Sequence, residues 1–498
     1  MRFTPSMLKP FALIAPFAPL AFVALLGACG AGFASNSPQR TPVAEQWFTR
    51  SKVSYKAGDF EDANDAAKHA ITAAPKDPEI RLLAARIALT RVEFADALKL
   101  TEGMQSTEAH AIRGRAHWYL GDIEQAADEL EAMLQDPVVK DPWAREVAKL
   151  ARRGSGRHPF AMEGSIVAAV NLLPGIGNVG FGPWHVVPVE LEGDQILALV
   201  ATGVSEVILD SNARHEPAWV NLRFGGRIEV RDVPALTQDL SSVSRLLGVP
   251  IKALLGVNLL RHLHVTFDRR GEQFVVRKQD ATPPPDASRV PLYYLRGGGM
   301  TLRAMITARE GEDSALLVDS SRPMLLALQD AAWQKAGVDV KTLTPLSDPP
   351  NVRSGVVPVF KLGGFDLSKM PALQGLDLGD VASTLDVDVG GVIGAQLLSL
   401  FRVTFVDEGR FIWVEADPTL VGPAGGAQSP RATPPPPPMK PDAEPPPAGS
   451  SSAPPSSPSR PPPPRPGGSP TPAGSSLHLS PPPSTPPATS SPSPGAKK

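Results

Sequence analysis

The alternation of apolar and polar residues divides this chain into stretches of different character. Between residues 41 and 155 apolar residues recur every three or four positions, which is typical of amphipathic α-helices. From about Phe160 they form short runs rich in Val, Leu, Ile and Phe, separated by Gly, Asp and Pro, as β-strands do. An apolar stretch at 10–26 and a proline-rich tail at 418–498 flank these regions. The pattern predicts a multidomain protein with an α-helical half followed by an all-β half.

The helical half contains an internal repeat. A shift of 34 residues aligns Phe60 with Phe94 and Ala63 with Ala97. Further small, turn and helix-ending residues of the units are Gly58, Asp59, Ala67, Ala70, Pro75, Gly114, Gly121, Asp122, Ile123, Ala126 and Pro137. They resemble the tetratricopeptide repeat (TPR), in which small residues let two antiparallel helices approach. The resemblance implies a concave surface for peptides or proteins; the alternative is a helical spacer that only displays the next domain.

The β-rich half is duplicated. Three ordered motifs, each repeated 138 residues later, are Leu254-Leu255-Gly256 with Val392-Ile393-Gly394, Leu259-Leu260 with Leu397-Leu398, and Val265-Thr266-Phe267 with Val403-Thr404-Phe405. Upstream, residues 199–202 correspond to residues 317–320 at a shift of 118. Single matches of Val and Leu arise easily by chance, but ordered matches at one shift indicate two copies of one unit.

The paired motifs resemble those of aspartic proteases of the retroviral and pepsin type, over residues 183–278 and 291–415. In that family each lobe carries an Asp-Thr/Ser-Gly loop and, later, an apolar-apolar-Gly strand that passes beneath the loop. The resemblance implies a bilobal all-β domain, with lobe 1 at 160–280 and lobe 2 at 288–417, whose two loops face each other. The motif-supporting residues are Thr202, Gly203, Ser320, Ser321, Gly256 and Gly394.

The loops depart from the family pattern at the catalytic position. Aspartic-protease chemistry needs two carboxylates that share one proton. The first loop reads Ala201-Thr202-Gly203, with alanine in the catalytic place, and the second reads Asp319-Ser320-Ser321, which keeps the acid and loses the glycine. Asp319 is therefore the one surviving catalytic candidate, and a lone carboxylate lacks the like-charged neighbour that separates the two pKa values.

Alternatives to an inactive site remain open at this stage. A homodimer that joins two Asp319 residues would restore a dyad, but it would break the pairing of lobes within one chain. Asp210 lies nine residues beyond Ala201, too far along an extended strand to replace the missing carboxylate. Asp319 can equally be a loop aspartate that hydrogen-bonds its own turn, and Ser321 in place of glycine predicts a changed loop backbone.

No metal or cofactor is predicted. His262 and His264 alternate on a predicted strand and would share a face, but a third ligand is not evident nearby. Gly297-Gly298-Gly299 lacks the lysine of a phosphate loop and is interpreted as a turn. The glycines between residues 171 and 182 indicate either a flexible loop over a cleft or a linker.

The N-terminus has the order of a secretory signal. Arg2 and Lys9 precede the uncharged stretch 10–26, and Leu26-Gly27-Ala28-Cys29 resembles the lipobox of bacterial lipoproteins. The resemblance implies cleavage after residue 28, a lipid on Cys29, and a linker at 29–40. An uncleaved transmembrane helix is the alternative, but three prolines within the stretch would disrupt it.

Composition sets the remaining limits. The tail 418–498 holds 29 of the 56 prolines and is predicted to be disordered or partly polyproline II. It acts as a spacer, as a ligand for proline-binding modules, or without a fixed partner. A formal net charge of −2 gives no electrostatic argument for nucleic acid.

Together these patterns predict a lipid-tethered scaffold that binds peptide or protein segments outside the cytoplasm. Its aspartic-protease-like domain is predicted to be inactive, and the opposing hypothesis is an active endopeptidase that uses Asp319. Gly30 follows the lipidated cysteine in place of the aspartate that commonly marks inner-membrane retention. The sequence thus favours the outer membrane of a cell envelope.

Overall fold

The computed structural model describes residues 40–173, 182–295, 299–307, 309, 312–347, 349–367, 369–376 and 386–416. Cys29, the glycines at 297 and 298, most of the stretch 171–182 and the tail 418–498 lie outside these residues. Within them a helical N-terminal region is followed by a β-rich region, as the hydrophobic pattern predicts. Over the same residues, every helix is too short or too polar to cross a membrane.

Seven helices of the described chain form the N-terminal region. They are α1 Pro42–Lys56, α2 Phe60–Ala73, α3 Pro78–Thr90, α4 Phe94–Thr101, α5 Thr107–Leu120, α6 Ile123–Leu134 and α7 Pro142–Arg152. Proline at the first position of α1, α3 and α7 follows a capping side chain, because proline lacks the N–H that the first turn leaves unbonded. The aligned residues Phe60 and Phe94 each begin the second helix of a pair, and Ile123 does so in the third.

Lobe 1 is a closed barrel. Its elements are β1 Ala161–Gly164, β2 Val167–Asn171, β3 Val186–Leu191, β4 Asp194–Val200, β5 Val207–Asp210, β6 Ala218–Phe224, β7 Ile228–Gln238, α8 Ser241–Leu247, β8 Ile251–Leu255, α9 Val257–His262, β9 Thr266–Asp268 and β10 Gln273–Arg277. Seven strands run in the order β1-β7-β5-β8-β4-β3-β6, and β6 pairs again with β7. The first loop follows β4, which lies parallel to β8.

Lobe 2 repeats the arrangement in an eight-stranded sheet of order β12-β13-β14-β21-β15-β20-β17-β16. Its elements are β11 Ser288–Pro291, β12 Tyr293–Tyr294, β13 Met300–Ala304, β14 Ser314–Asp319, β15 Leu326–Leu328, α10 Asp330–Lys335, β16 Thr344–Pro345, β17 Arg353–Val357, β18 Lys361–Leu362, β19 Phe365–Asp366, β20 Met370–Gln374, β21 Gly391–Gly394, α11 Ala395–Leu398, β22 Phe401–Val406 and β23 Phe411–Ala416. The second loop follows β14, which lies parallel to β21.

A six-stranded sheet joins the lobes, in the order β11-β23-β22-β9-β10-β2. Its central neighbours β22 and β9 are the duplicated strands, and Thr266 lies opposite Thr404 in their antiparallel register. The two threonine hydroxyls are 2.8 Å apart. Residues 138 positions apart therefore meet at the junction, which gives the two lobes an approximate twofold relation.

The prediction of a strand carrying His262 and His264 is wrong. His262 ends helix α9, and its partly buried ring stacks on Phe160 with 4.4 Å between ring centres. Burial lowers the pKa of His262 well below its ordinary value, so its ring is neutral. His264 lies in the following turn and pairs with Asp280 at 2.7 Å. Among the described residues no group of three His, Cys, Asp or Glu side chains has the arrangement of a metal site.

Candidate functional site

The two motif loops meet through reciprocal hydrogen bonds. The Thr202 N–H donates to Ser320 Oγ at 3.0 Å, and the Ser320 N–H donates to Thr202 Oγ1 at 2.9 Å. Each hydroxyl donates in turn to a carbonyl of the opposite strand, Thr202 to Val318 at 2.8 Å and Ser320 to Val200 at 2.7 Å. Both side chains are fully buried. The structure thus brings together the two loops that the sequence motifs pair.

Glycine is required in the strands beneath the loops. A Cβ on Gly256 would lie 2.1 Å from the carbonyl oxygen of Glu206, and a Cβ on Gly394 would lie 2.1 Å from that of Met324. Glu206 follows Ala201 by five residues, as Met324 follows Asp319. The close approach of backbone to backbone excludes any side chain. Both copies therefore require glycine at this position for the same steric reason.

Gly203 makes room for the surviving carboxylate. A Cβ at this position would lie 2.6 Å from Cγ of Asp319. On the opposite side, Ala201 is 1% exposed and belongs to the apolar cluster of lobe 1 with Leu199 and Leu254. Lobe 1 thus contributes Gly203 to the surroundings of Asp319, and Ala201 packs into the apolar cluster of its own lobe.

The carboxylate of Asp319 is held by its own turn. Oδ1 accepts hydrogen bonds from the Ser321 N–H at 3.0 Å and from the Ser321 hydroxyl at 2.5 Å. Oδ2 accepts one from Nε of Arg322 at 3.0 Å, which forms an ion pair. Both oxygens of the Asp319 carboxylate are thus hydrogen-bonded to side chains or backbone within its own loop.

Serine at position 321 takes part in the contacts of the second loop. Ser321 is not among the residues with a positive φ angle. Its hydroxyl donates a hydrogen bond to Asp319, and its carbonyl oxygen accepts one from the indole of Trp184 at 2.9 Å. The serine therefore links the carboxylate of lobe 2 to a side chain of lobe 1.

There is little open space beside Asp319. The cavity there measures about 30 Å³ and is lined by Gly203, Gly299, Leu317, Val318, Asp319, Arg322 and Val392. One water needs roughly 10–15 Å³ on this measure, whereas ligand pockets span hundreds. The cavity admits about two waters and no peptide.

Helices α1–α3 cover the face of lobe 2 that carries Asp319. Side chains alternate along a strand, so Ala315, Leu317 and Asp319 share one face of β14. Val392 is the partner of Leu317 on β21, and both side chains are buried in one cluster with residues of α1–α3 such as Phe60. The helical region and the β-rich region are packed together at the place where a cleft would open.

A second contact between these regions was not predicted from the sequence. Glu206 is 2% exposed, and its carboxylate accepts hydrogen bonds from the Trp118 indole of α5 at 3.1 Å and from Asn258 at 3.3 Å. Burial raises the pKa of Glu206, although both bonds act in the opposite direction. Arg261, also buried, donates to the Tyr119 carbonyl. The sequence does contain a signal for this contact, because Glu206 is a single acidic residue within the mainly apolar run at residues 204–209.

Asp210 does not complete the site. It ends β5, where it is 5% exposed, and accepts a hydrogen bond from Lys252 at 2.8 Å. Burial acts to raise the pKa of Asp210, but the bonds from Lys252 and Asn212 outweigh it and lower the pKa. The carboxylate of Asp210 therefore forms an ion pair with Lys252 at the end of β5.

An open groove of about 1000 Å³ lies between α6–α7 and lobe 1. Its apolar lining includes Leu134, Trp143 and Leu236, and its charged lining includes basic and acidic side chains of both regions. The charged residues are Glu131, Arg145, Glu146, Lys149, Arg152, Arg153 and Glu216. The groove combines apolar contact area with both signs of charge.

Comparison with known proteins gives structural neighbours without sequence relatives. Neither a scan of family models nor a search of curated proteins finds a match. The TPR domain of Arabidopsis OM64 is 19% identical, with 22% of this chain and 95% of that domain covered and a TM-score of 0.21. The first TPR of Spaghetti (RPAP3), solved with an HSP90 peptide, is 20% identical, with 22% of this chain and 91% of that chain covered and a TM-score of 0.21. A retropepsin-like aspartic protease from Rickettsia conorii is 18% identical, with 27% of this chain and 98% of that chain covered and a TM-score of 0.22.

Proposed function

We propose that this protein is a non-catalytic scaffold that binds peptide or protein segments, with a TPR-like array joined to an inactive, bilobal aspartic-protease-like domain. One observation carries the proposal: the carboxylate of Asp319 is bound by Ser321 and Arg322, and the corresponding position of the first loop is Ala201, which is buried in an apolar cluster. Helices α1–α3 also pack on Leu317 and Val392, next to Asp319 on the same face of lobe 2, which leaves little room there for a substrate.

The proposal places the protein in a cell envelope, tethered by a lipid on Cys29. The lipobox-like sequence that ends at this residue supports the tether. In this arrangement the helical array is the first described region after the anchor. A tethered scaffold acts by holding its partner in place, so loss of a catalytic acid is compatible with function.

We assign the groove between α6–α7 and lobe 1 to the partner segment. Its volume of about 1000 Å³ is in the range of peptide-sized sites, and Trp143 offers the kind of aromatic anchor that contributes most to binding. Basic and acidic side chains line the same groove. The partner of this groove is an extended segment with apolar residues between charged ones of both signs.

The test of this assignment is a substitution that fills the groove. Thr237 lines it, so Thr237→Arg should weaken binding of peptides from a mixed library at least tenfold. The control is Thr49→Arg on α1, where the side chain is exposed and remote from the groove. Equal binding by the two variants would remove the groove from the proposal.

A further inference from the structure

The apolar surface beside Asp319 is built like a recognition site, although it is covered. We call it the strip, and it consists of Tyr293, Leu295, Leu317, Val387 and Val392, all buried. These side chains belong to one cluster with residues of α1–α3. The cover is formed by helices α1–α3 together with the segment from Lys56 to Glu61, which connects α1 to α2, contributes Phe60 and is here called the turn.

Polar groups at the edge of the strip bind the turn at three points. The Asp388 N–H donates to the Lys56 carbonyl oxygen at 2.7 Å. Arg303 pairs with Asp59 at 2.6 Å. The Tyr293 hydroxyl donates to Glu61 at 3.0 Å. The strip thus recognises a backbone carbonyl and two acidic side chains that flank one residue.

The residue between the two acids is aromatic. Phe60 is fully buried, and its ring centre lies 4.6 Å from that of Tyr293. The turn approaches lobe 2 so closely that only glycine fits at residue 58, since a Cβ there would lie 2.4 Å from Cβ of Ala315. The contact therefore depends on shape at one point and on an acidic–aromatic–acidic sequence next to it.

We propose that the strip is a docking surface for a partner segment of acidic–aromatic–acidic sequence, and that the turn is an occupant built into the chain. Displacement of the turn would leave the N–H of Asp388, the guanidinium of Arg303 and the ring of Tyr293 without partners from the turn. A segment with the same chemistry satisfies all three. This surface is separate from the groove, and binding to it requires that the turn leave.

The experiment compares two glycines with the same backbone conformation. Gly58 has φ +74° and meets Ala315, whereas Gly103 has φ +75° and has nothing within 4 Å. Alanine therefore adds the same backbone strain at both positions, but it forces the turn away from the strip only at residue 58. The probe is a fluorescein-labelled peptide that copies residues 55–64, and its binding to the full chain is measured by fluorescence polarisation.

The expected result is that Gly58→Ala binds the probe at least tenfold more tightly than wild type, while Gly103→Ala binds it as wild type does. Adding Arg303→Gln to Gly58→Ala should remove most of the gain, because the acidic residue of the probe loses its partner. Adding Thr237→Arg to Gly58→Ala should leave the gain unchanged, because that substitution fills only the groove. Failure of the groove assignment and failure of this proposal are thereby distinguishable.

Equal binding by Gly58→Ala and Gly103→Ala would overturn the proposal. A doubled mass of Gly58→Ala in light scattering would overturn the choice of occupant, because it would show the turn of a second copy on the strip. If circular dichroism shows Gly58→Ala to be unfolded, Glu61→Gln weakens the same contact without adding bulk. That variant should bind the probe a few-fold more tightly than wild type, and unchanged binding would again contradict the proposal.

Discussion

At the scale of single residues, the buried hydroxyls of Thr202 and Ser320 bind the two loops to each other. Thr202 and Ser320 could be paired from the duplication, because a hydroxyl after each apolar strand suits a loop that is fixed by hydrogen bonds. The capture of Asp319 by Arg322 could not be predicted. It depends on the path of the chain after the loop, which no periodicity specifies.

The reciprocal bonds of Thr202 should make a measurable contribution to stability. Thr202→Val leaves the buried Ser320 N–H without its acceptor, so the free energy of unfolding should fall by about 1–3 kcal/mol. Thr301→Val is the matched control: Thr301 is equally buried, but its hydroxyl finds no hydrogen-bond partner within the described chain. Urea denaturation of both variants checks this. An equal loss in both would mean that the bonds of Thr202 add nothing.

At the scale of helices and strands, long periodic segments were predicted well and short ones poorly. The shift of 34 residues placed Phe60 and Phe94 at equivalent helix positions, because three-residue and four-residue spacing over many turns is unambiguous. The short apolar run before His262 fits a helix or a strand equally well, and it is a helix. The buried residues of α5 lie on more than one face of the helix, and periodicity does not reveal that lobe 1 covers one of them.

The contact between α5 and lobe 1 predicts a pH dependence. The folded pKa of Glu206 is raised above its ordinary 4.5, so the folded protein keeps this proton where the unfolded chain has lost it. Stability from this group is complete below the unfolded pKa and decreases as the pH rises toward the folded one.

Glu206→Gln removes that decrease, because glutamine does not ionise. The difference in unfolding free energy, variant minus wild type, should therefore become more positive between about pH 4 and pH 8. Chemical denaturation across this range measures it. The exposed Glu102→Gln serves as the control and should show a flat difference. A flat difference for Glu206→Gln as well would mean that Glu206 has the same pKa in the folded protein and in the unfolded chain.

At the scale of the whole molecule, the helical array is in contact with its own β-rich domain. The sequence predicts the two regions separately, and the resemblance to TPR arrays implies a free concave surface. In the structure Tyr55 and Phe60 of the array pack near the strip, and Trp118 packs near Glu206. Such contacts join residues far apart in the chain, so local patterns do not contain them. The lipid anchor and the tail lie outside the described residues and remain predictions.

The anchor is tested by metabolic labelling. Cells grown with a labelled fatty acid should incorporate it into wild-type protein, and Cys29→Ala should lose the label and shift from the membrane fraction to the soluble fraction. The chain has one cysteine, so no other thiol competes for the lipid. Equal labelling of both proteins would contradict a lipid on Cys29.

The central claim is that this protein binds peptides without cleaving them. The most direct measurement incubates wild type and Asp319→Asn with a mixed peptide library between pH 3 and pH 7 and analyses bound and released peptides by mass spectrometry. The account predicts that both proteins retain the same intact peptides and produce no new termini. New termini that appear with wild type and vanish with Asp319→Asn would contradict it and establish an active endopeptidase.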